Sequence, residues 1–186
     1  MDTGRRDSRA GRGRDREDRL TRQLLILRHA KSDRDDSVPD FERPLARRGD
    51  KEAPRVGERI REHGWIPDYV LSSPALRARD TARAVIRVLG LPDDIVRFDD
   101  RIYMASRATL LQALAACPVE ARRALLIGHN PGLEDLVEYL VDKPPERTAE
   151  GKLLTTAALA CVETDSPWAG LKRGGAHLVE LLRPRH

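Results

Sequence analysis

The chain of 186 residues contains only two cysteines, few aromatic residues and no long apolar segment. Cys117 and Cys161 are isolated and lack the paired spacing of a zinc site or redox motif, so we expect buried, unreactive thiols. The length corresponds to one domain of roughly 150 residues, which is large enough to bury a core without disulfides. The sequence therefore excludes a small protein that is stabilised by disulfides.

No apolar run approaches the roughly 18 residues that a membrane-spanning helix requires. The apolar runs, such as residues 24–27 and 157–162, have the length of a strand. The amino terminus lacks the apolar segment of a secretory signal, and its acidic residues argue against a transit peptide. We therefore predict a cytoplasmic protein with no membrane partner.

Basic residues are in surplus, but the surplus is unevenly distributed. Lys and Arg number 34 against 30 Asp and Glu, a formal net charge of +4. Residues 1–22 hold eight arginines and five acids, a surplus of three, which leaves +1 for residues 23–186. Nucleic-acid binding normally requires cations clustered on a folded surface. We therefore expect no nucleic-acid partner.

Residues 1–21 contain almost no apolar side chain. Ordering such a segment costs backbone entropy without burying apolar surface. We therefore predict a disordered, arginine-rich tail over residues 1–21 and one folded domain over residues 22–186. The tail has either no role or, as an alternative, the role of an electrostatic tether to an acidic partner.

From Gln23 onwards, short apolar runs alternate with segments of helical periodicity, which is the pattern of βαβ units around a parallel sheet. Strands are expected at 24–27, 69–71, 95–98, 124–127, 157–162 and 177–182, with antiparallel pairing as an option for the last two. Helices are expected at 53–63, 74–89, 108–116 and 130–140. The fold class is therefore α/β, with a mostly parallel central sheet flanked by helices in three layers.

Proline positions indicate how three of these helices begin. Ser73 before Pro74 predicts a capping residue and first turn, and Asn130 before Pro131 repeats this signal. Pro54 must lie in the first turn of its helix or kink it, because proline lacks the backbone donor.

Two histidines directly follow apolar strands: His29 follows Leu-Leu-Ile-Leu-Arg, and His129 follows Leu-Leu-Ile-Gly. In open α/β sheets, ligands bind outside the carboxyl ends of the strands. Arg28 lies at the same edge, as does the start of a helix that carries Arg77 and Arg79. A pocket of guanidinium groups and imidazoles suits a phosphoryl group, whose oxygens accept paired hydrogen bonds from arginine.

Neighbouring arginines should lower the pKa of such a histidine below its ordinary value of about 6.5, because like charge disfavours the imidazolium form. His29 would then stay neutral and nucleophilic, with a backbone carbonyl holding its other ring nitrogen. His129 would donate a hydrogen bond to a phosphoryl oxygen. Arg77 is a better candidate than Arg79, which shares a helical stripe with two further arginines that is typical of an exposed face.

Five segments, in this order and spacing, resemble the histidine phosphatase superfamily, and specifically its small, SixA-like phosphohistidine phosphatase branch. They are Leu27-Arg28-His29-Ala30-Lys31-Ser32, Arg43-Pro44-Leu45 with Arg48-Gly49, Ser72-Ser73-Pro74 with Arg77, Ile102-Tyr103 with Ala105, and Gly128-His129-Asn130-Pro131. The resemblance covers residues 23–182 and implies a phosphoglycerate-mutase-like fold.

The resemblance also implies roles for individual residues. His29 would accept the phosphoryl group, Arg28 and Arg77 would bind the phosphate, and His129 would complete the pocket beside Asn130. Transfer to His29 would be followed by hydrolysis of the phosphohistidine intermediate. No metal and no other cofactor are implied, and the sequence has no Walker A motif for a nucleotide-bound Mg²⁺.

A general acid is the one part of the family pattern that the sequence lacks. Larger members of the superfamily have a glutamate after the third strand, whereas residues 99–104 contain none and offer Asp99 and Asp100 as candidates. Loss of the acid would cost about 10²–10⁴ in rate for an alkoxide leaving group. The cost is smaller for imidazole, whose pKa is about 6.5. This favours phosphohistidine as the substrate.

We therefore predict a metal-independent phosphatase that acts on phosphohistidine in a phosphorylated protein, in signal transduction. The first alternative is a phosphatase for a small phosphorylated metabolite, or a mutase-like enzyme of the same superfamily. A non-catalytic phosphate-binding module is a less favoured alternative. A nucleic-acid-binding adaptor would have to depend on the tail.

Overall fold

The computed structural model describes residues 21–184. The tail predicted over residues 1–21 lies outside this range except for Thr21. Within the range, a sheet of six strands is flanked by four α-helices. This arrangement confirms the α/β class expected from the alternation of apolar runs and helical segments.

The elements lie close to their expected positions, although the first helix begins earlier. The strands are β1 (Arg22–Arg28), β2 (Tyr69–Ser72), β3 (Val96–Phe98), β4 (Arg123–Gly128), β5 (Leu159–Thr164) and β6 (His177–Leu182). The α-helices are α1 (Arg47–Glu62), α2 (Leu76–Leu89), α3 (Arg107–Ala115) and α4 (Gly132–Leu140). Short 3-10 helices occur at Asp40–Glu42, Asp93–Ile95, Asp100–Ile102 and Trp168–Gly170. None of the described helices combines the length and apolar character needed to cross a bilayer.

The strand order in the sheet is β3-β2-β4-β1-β5-β6. Strands β3, β2, β4 and β1 pair in parallel, whereas β5 and β6 pair antiparallel. The sheet is therefore mostly parallel, as predicted. Strand β1 is central, between β4 and β5, and helices cover both faces of the sheet, which accounts for its continuous apolar run.

Successive residues of β1 pack on opposite faces of the sheet, since side chains alternate along a strand. Leu24 and Ile26 belong to a buried cluster that includes residues of α3 and α4. Leu25 and Leu27 belong to a second cluster with residues of α1 and α2. The two clusters form the interfaces of a three-layer structure.

Helix α1 begins at Arg47, before the first apolar residue of its buried face, so Pro54 lies inside the helix and not in its first turn. The helix packs against α2 near Gly57. A Cβ atom at Gly57 would lie 2.9 Å from the Cβ atom of Val88, which is closer than packed side chains allow. Glycine at this position therefore permits the close approach of α2.

The predicted capping role of Ser73 is wrong. Helix α2 begins at Leu76 with Ala75 as its N-cap, and it ends at Gly90 in the left-handed conformation, with φ of 68°. The Ser73 hydroxyl contacts His129 instead, so the side chain contributes to the cavity described below.

The predicted capping role of Asn130 is wrong for a similar reason. Helix α4 begins at Gly132 with Pro131 as its N-cap. The Asn130 side-chain amide donates to the carboxylate of Glu134 at 2.9 Å and to the carbonyl of Leu154 at 2.9 Å. The Oδ1 atom, which would accept in a cap, is buried without a hydrogen-bond partner among the described residues.

Both cysteines are free and buried, which confirms the prediction of unreactive thiols. Burial raises the pKa of Cys117 and of Cys161 to about 12. Because the thiolate is the reactive form, both side chains are inert near neutral pH.

Candidate active site

Three adjacent parallel strands end at one edge of the sheet. His29 directly follows β1, His129 follows β4 and Ser73 follows β2. A cavity of about 320 Å³ opens at this edge. It is lined by Arg28, His29, Lys31, Ser32, Arg34, Asp40, Arg43, Arg77, Met104, His129, Asn130 and Thr156. The structure thus brings both histidines together with Arg28 and Arg77.

The ring of His29 is fixed by the backbone of the next residue. Its Nδ1 atom lies 2.8 Å from the carbonyl oxygen of Ala30, which can only accept, so Nδ1 carries the proton. The unprotonated Nε2 atom is then the nitrogen available for bond formation. This is the arrangement expected from the sequence, with a backbone carbonyl on the opposite nitrogen.

Thr81 holds the segment that carries this carbonyl. Its hydroxyl oxygen accepts a hydrogen bond from the Ala30 N–H at 3.0 Å and donates to the Arg77 carbonyl at 2.7 Å. Thr81 is fully buried. One hydroxyl therefore connects the loop after β1 with the first turn of α2, which positions His29 relative to Arg77.

His29 is only 7% exposed, and its pKa is lowered to about 3. Burial is the main cause, followed by the positive electrostatic influence of His129, Arg77 and Arg28. The imidazole is therefore neutral at physiological pH, as predicted, although desolvation contributes more than the neighbouring cations.

Arg77 contacts both histidines. Its Nε atom lies 3.3 Å from Nε2 of His29, and its Nη2 atom lies 3.4 Å from Nδ1 of His129. The side chain is 3% exposed. Arg79, the alternative from the sequence, does not line the cavity. The guanidinium of Arg77 is therefore the one that α2 directs toward the strand ends.

His129 is held by Ser73, whose Oγ atom lies 2.8 Å from Nε2 of the ring. The same Oγ atom accepts from the Ala75 N–H at 3.2 Å. Burial, and next the charge of Arg77, lower the pKa of His129 to about 4. A hydroxyl can donate or accept, so Ser73 can bind His129 in either neutral tautomer. Because Arg77 can only donate, its contact with Nδ1 places the proton of His129 on Nε2, next to Ser73. In the other tautomer, without that Arg77 contact, Nδ1 would present a donor to the cavity.

Arg28 and Asn130 also line the cavity, and both contact the carbonyl of Leu154. One guanidinium nitrogen of Arg28 donates to the Leu154 carbonyl at 2.8 Å, whereas its Nε atom is buried without a hydrogen-bond partner among the described residues. Burial lowers the pKa of Arg28, and the nearby Glu134 carboxylate opposes that shift. Glu134 also accepts from the Asn130 amide, which links both residues to one carboxylate.

Asp40 also belongs to this site, although no sequence motif indicates it. Its carboxylate accepts hydrogen bonds from Tyr103 Oη at 2.6 Å and from Arg77 Nη2 at 2.9 Å. The Tyr103 hydroxyl, and then Arg77, hold the pKa of Asp40 well below its ordinary range. This contact could not be read from local sequence, because Asp40 begins a 3-10 helix that is far from Arg77 in the chain.

Asp99 and Asp100, the candidate general acids, do not line the cavity. Asp99 accepts from the backbone N–H of Arg101 at 3.0 Å and from its guanidinium at 2.6 Å. Hydrogen bonds from Arg101 also lower the pKa of Asp99. Asp100 is exposed at the start of a 3-10 helix.

The cavity lining is strongly cationic. Its charged side chains are five basic residues and one acid, namely Arg28, Lys31, Arg34, Arg43 and Arg77 against Asp40. Such a cavity attracts an anion, and its guanidinium groups can stabilise charge on phosphoryl oxygens. The unprotonated Nε2 atom of His29 supplies a nucleophile at the same place.

Comparison with known proteins yields a matching family. Residues 24–101 match the model of the histidine phosphatase superfamily (branch 1). An uncharacterised protein of Mycobacterium tuberculosis is 31% identical over 163 residues, which cover 86% of this chain and 100% of the relative. An uncharacterised chloroplastic protein of Arabidopsis thaliana is 32% identical over 130 residues, which cover 65% of this chain and only 60% of that protein.

Solved structures share the fold. A candidate phosphohistidine phosphatase SixA from Nakamurella multipartitia is 28% identical, with a TM-score of 0.73 and coverage of 88% of this chain and 96% of that chain. The protein histidine phosphatase SixA in complex with tungstate is 25% identical, with a TM-score of 0.70 and coverage of 86% and 96%. These similarities confirm the phosphoglycerate-mutase-like fold expected from the sequence.

Proposed function

Because the chain belongs to the histidine phosphatase superfamily, we propose that it hydrolyses phosphohistidine in proteins through a phosphorylated His29. That the chain is a phosphatase, and thus a hydrolase, follows from the family and from the similarity to SixA structures. The protein substrate, the residue roles and the independence from metals are proposed. The observation that carries them is the buried, unprotonated Nε2 atom of His29 beside Arg77.

In the first step, the lone pair on Nε2 of His29 attacks the phosphorus atom of the substrate. The substrate ring carries a proton on its other nitrogen, which it takes up readily near neutral pH. The bond between phosphorus and this ring breaks, and the ring leaves with the electron pair as neutral imidazole. Positive charge that develops on the His29 ring is stabilised by the hydrogen bond from Nδ1 to the Ala30 carbonyl.

In the second step, a water molecule attacks the phosphorus atom of phosphorylated His29. The bond from phosphorus to Nε2 breaks, its electron pair returns to Nε2, and the water proton passes to the released phosphate. The low pKa of His29, about 3, favours departure of the ring as a neutral imidazole. Burial therefore assists both formation and release of the free nucleophile.

Arg28, Arg77 and His129 would hold the phosphoryl group during both steps. Arg28 has a buried Nε–H without a partner among the described residues, which a phosphoryl oxygen would satisfy. Arg77 would exchange its contact with the Asp40 carboxylate for phosphoryl oxygens. Once Arg77 turns from Nδ1 of His129 to the phosphoryl oxygens, His129 would take the other neutral tautomer and donate from Nδ1, while Ser73 donates to Nε2. These contacts stabilise the negative charge of the transition state.

The state of the acids supports phosphohistidine over a phosphomonoester as the substrate. Asp40 is the one carboxylic acid among the described residues that line the cavity, and its lowered pKa keeps it ionised. An ionised carboxylate cannot donate a proton to a leaving alkoxide, whose unassisted departure would cost about 10²–10⁴ in rate. Imidazole, with a pKa of about 6.5, departs without that assistance.

The size of the cavity favours a second candidate function. At about 320 Å³ it lies within the range of small-molecule pockets, so a small phosphomonoester also fits. The two candidates differ in the leaving group that the enzyme must expel. They are therefore distinguished by relative turnover and not by binding.

The test compares turnover of a phosphohistidine protein with a panel of phosphomonoesters, with EDTA present throughout. We expect higher kcat/KM for the phosphohistidine protein, no loss with EDTA and no turnover by His29→Ala. His177→Ala, an exposed histidine substitution, serves as the control and should retain activity. Equal or better hydrolysis of phosphomonoesters would refute the substrate assignment, and full activity of His29→Ala would refute the nucleophile.

A further inference from the structure

A second and larger cavity, a groove of about 1130 Å³, lies between α1 and the strands β5 and β6. We call it the α1 groove. One wall carries the basic residues Arg47, Arg48, Lys51 and Arg55 of α1, and the other includes Leu159 of β5. The lining contains neither His29 nor His129, so the groove lies outside the catalytic cavity.

The α1 groove and the catalytic cavity are neighbours at two points. Lys31 lines the catalytic cavity, and its carbonyl accepts from the N–H of Ala46, the residue directly before α1. Thr156 lines the catalytic cavity, whereas the next residue, Ala157, lines the groove. A ligand that reaches His29 can therefore extend into the groove, provided that it is larger than a small metabolite.

The end of the groove nearest the catalytic cavity is positively charged. Arg47, Lys51 and Arg55 are exposed and lie at i, i+4 and i+8, on one stripe of α1. No acid among residues 21–184 forms an ion pair with these three side chains. The acids Glu58 and Glu62 lie at the other end of the helix. Unneutralised cations favour an acidic ligand at the near end.

The floor of the groove offers a hydrogen-bond acceptor. Glu52 is 6% exposed, and its Oε1 atom accepts from Nε of Arg48 at 2.6 Å. Its Oε2 atom is buried without a hydrogen-bond partner in the described part of the chain. A buried acceptor without a partner is costly, so a shift of the Glu52 side chain toward a peptide N–H in the groove would be favourable. A polypeptide carries backbone N–H donors and therefore fits the groove better than an inorganic anion does.

Building on the proposed protein phosphohistidine activity, we propose that the α1 groove binds an acidic segment of the phosphorylated protein substrate. Basic side chains of α1 would attract carboxylates that neighbour the phosphohistidine, while the phosphohistidine itself enters the catalytic cavity. The amino-terminal segment of the chain is a poor occupant, since residues 1–22 hold eight arginines against five acids. Like charge would oppose its binding beside Arg47, Lys51 and Arg55.

The test uses two peptides of equal length, each with a single histidine phosphorylated by phosphoramidate. In one the histidine is flanked by glutamates, and in the other by lysines. Free phosphohistidine measures turnover without contact to the groove. The wild-type protein should show at least about tenfold higher kcat/KM for the acidic peptide, mainly through KM, and the advantage should decrease with added salt.

Lys51→Glu/Arg55→Glu should remove this preference and leave turnover of free phosphohistidine unchanged. Lys51→Gln/Arg55→Gln should give an intermediate preference for the acidic peptide, because it removes two positive charges without adding negative charges to α1. Arg83→Glu/Arg87→Glu changes the net charge equally on an exposed face of α2, and should retain the wild-type preference. Unfolding temperatures of the variants verify the fold.

Two results would refute the binding of an acidic substrate segment in the α1 groove and leave the phosphohistidine activity standing. They are equal kcat/KM for the two peptides in the wild-type protein, and an unchanged preference in Lys51→Glu/Arg55→Glu. Absence of turnover for free phosphohistidine and both peptides, with phosphomonoesters hydrolysed, would instead refute the proposed function and the groove together. The two failures are therefore distinguishable.

Discussion

The Nε atom of Arg77 lies 3.3 Å from the Nε2 atom of His29, so the buried guanidinium is directed at the proposed nucleophile. This contact uses the lone pair that would attack phosphorus. Binding of a phosphoryl group would replace it, with the oxygens accepting from Arg77 and the phosphorus facing Nε2. The same positive charge also disfavours protonation of His29 and keeps the lone pair available.

Arg77→Lys should lower kcat by about 10²–10³, because lysine retains the charge but loses the planar, paired donors that stabilise the transition state. Steady-state kinetics with a phosphohistidine protein measure the effect. Arg79→Lys is the matched control, since Arg79 is on the same helix and outside the cavity lining. Equal losses in the two variants would contradict the assignment of Arg77.

Ser73→Ala should reduce kcat about fivefold, because the hydrogen bond that holds His129 contributes about 1 kcal/mol. The ring ¹⁵N chemical shifts of His129 should change as well, because its Nε2 atom loses the hydroxyl partner. Ser72→Ala is the control, since Ser72 is equally buried and its hydroxyl binds only the Ser73 carbonyl among the described residues. An unchanged His129 signal in Ser73→Ala would show that Ser73 does not position the ring.

Asp40→Asn should strengthen inhibition by inorganic phosphate about fivefold, since it removes a negative charge worth roughly 1 kcal/mol from the cavity. Asparagine still accepts from Tyr103 and Arg77, so the geometry should be retained. The inhibition constant at pH 7 is the measurement. Weaker inhibition would indicate that the Asp40 charge positions Arg77 and does not compete with phosphate.

The two buried histidines should make the protein less stable in mild acid. Their pKa values, about 3 for His29 and about 4 for His129, lie below the unfolded value of about 6.5, so the unfolded state binds more protons between these limits. The free energy of unfolding should therefore fall as the pH is lowered from about 6.5 to about 4. In His29→Asn/His129→Asn this dependence should be weaker. An identical slope would contradict the low pKa values.

The sequence was sufficient to predict the sheet and the positions of His29 and His129. Continuous apolar runs indicate central strands, and residues that follow parallel strands lie at one edge of the sheet. Helical periodicity was also sufficient to choose Arg77 over Arg79. These conclusions depend on local pattern and strand polarity, both of which are visible in one sequence.

The contacts made by Asp40 and Glu134 could not be predicted. Asp40 contacts Arg77 and Tyr103, which are distant in the chain. The residues next to Asp40 in the sequence do not indicate these contacts. Glu134 accepts from Asn130 and from the backbone N–H groups of residues 153 and 154, which are distant in the chain. Such long-range partners also overrode the capping signals at Ser73 and Asn130.

Isolation of the phosphorylated enzyme tests the central claim most directly. Brief incubation with a ³²P-labelled phosphohistidine protein, followed by alkaline quenching and mass spectrometry, locates the covalent phosphate. We expect phosphate on His29 that is stable in alkali and labile in acid, and none on His29→Ala. Phosphate on another residue, or phosphate that is stable in acid and labile in alkali, would contradict a phosphohistidine intermediate on His29.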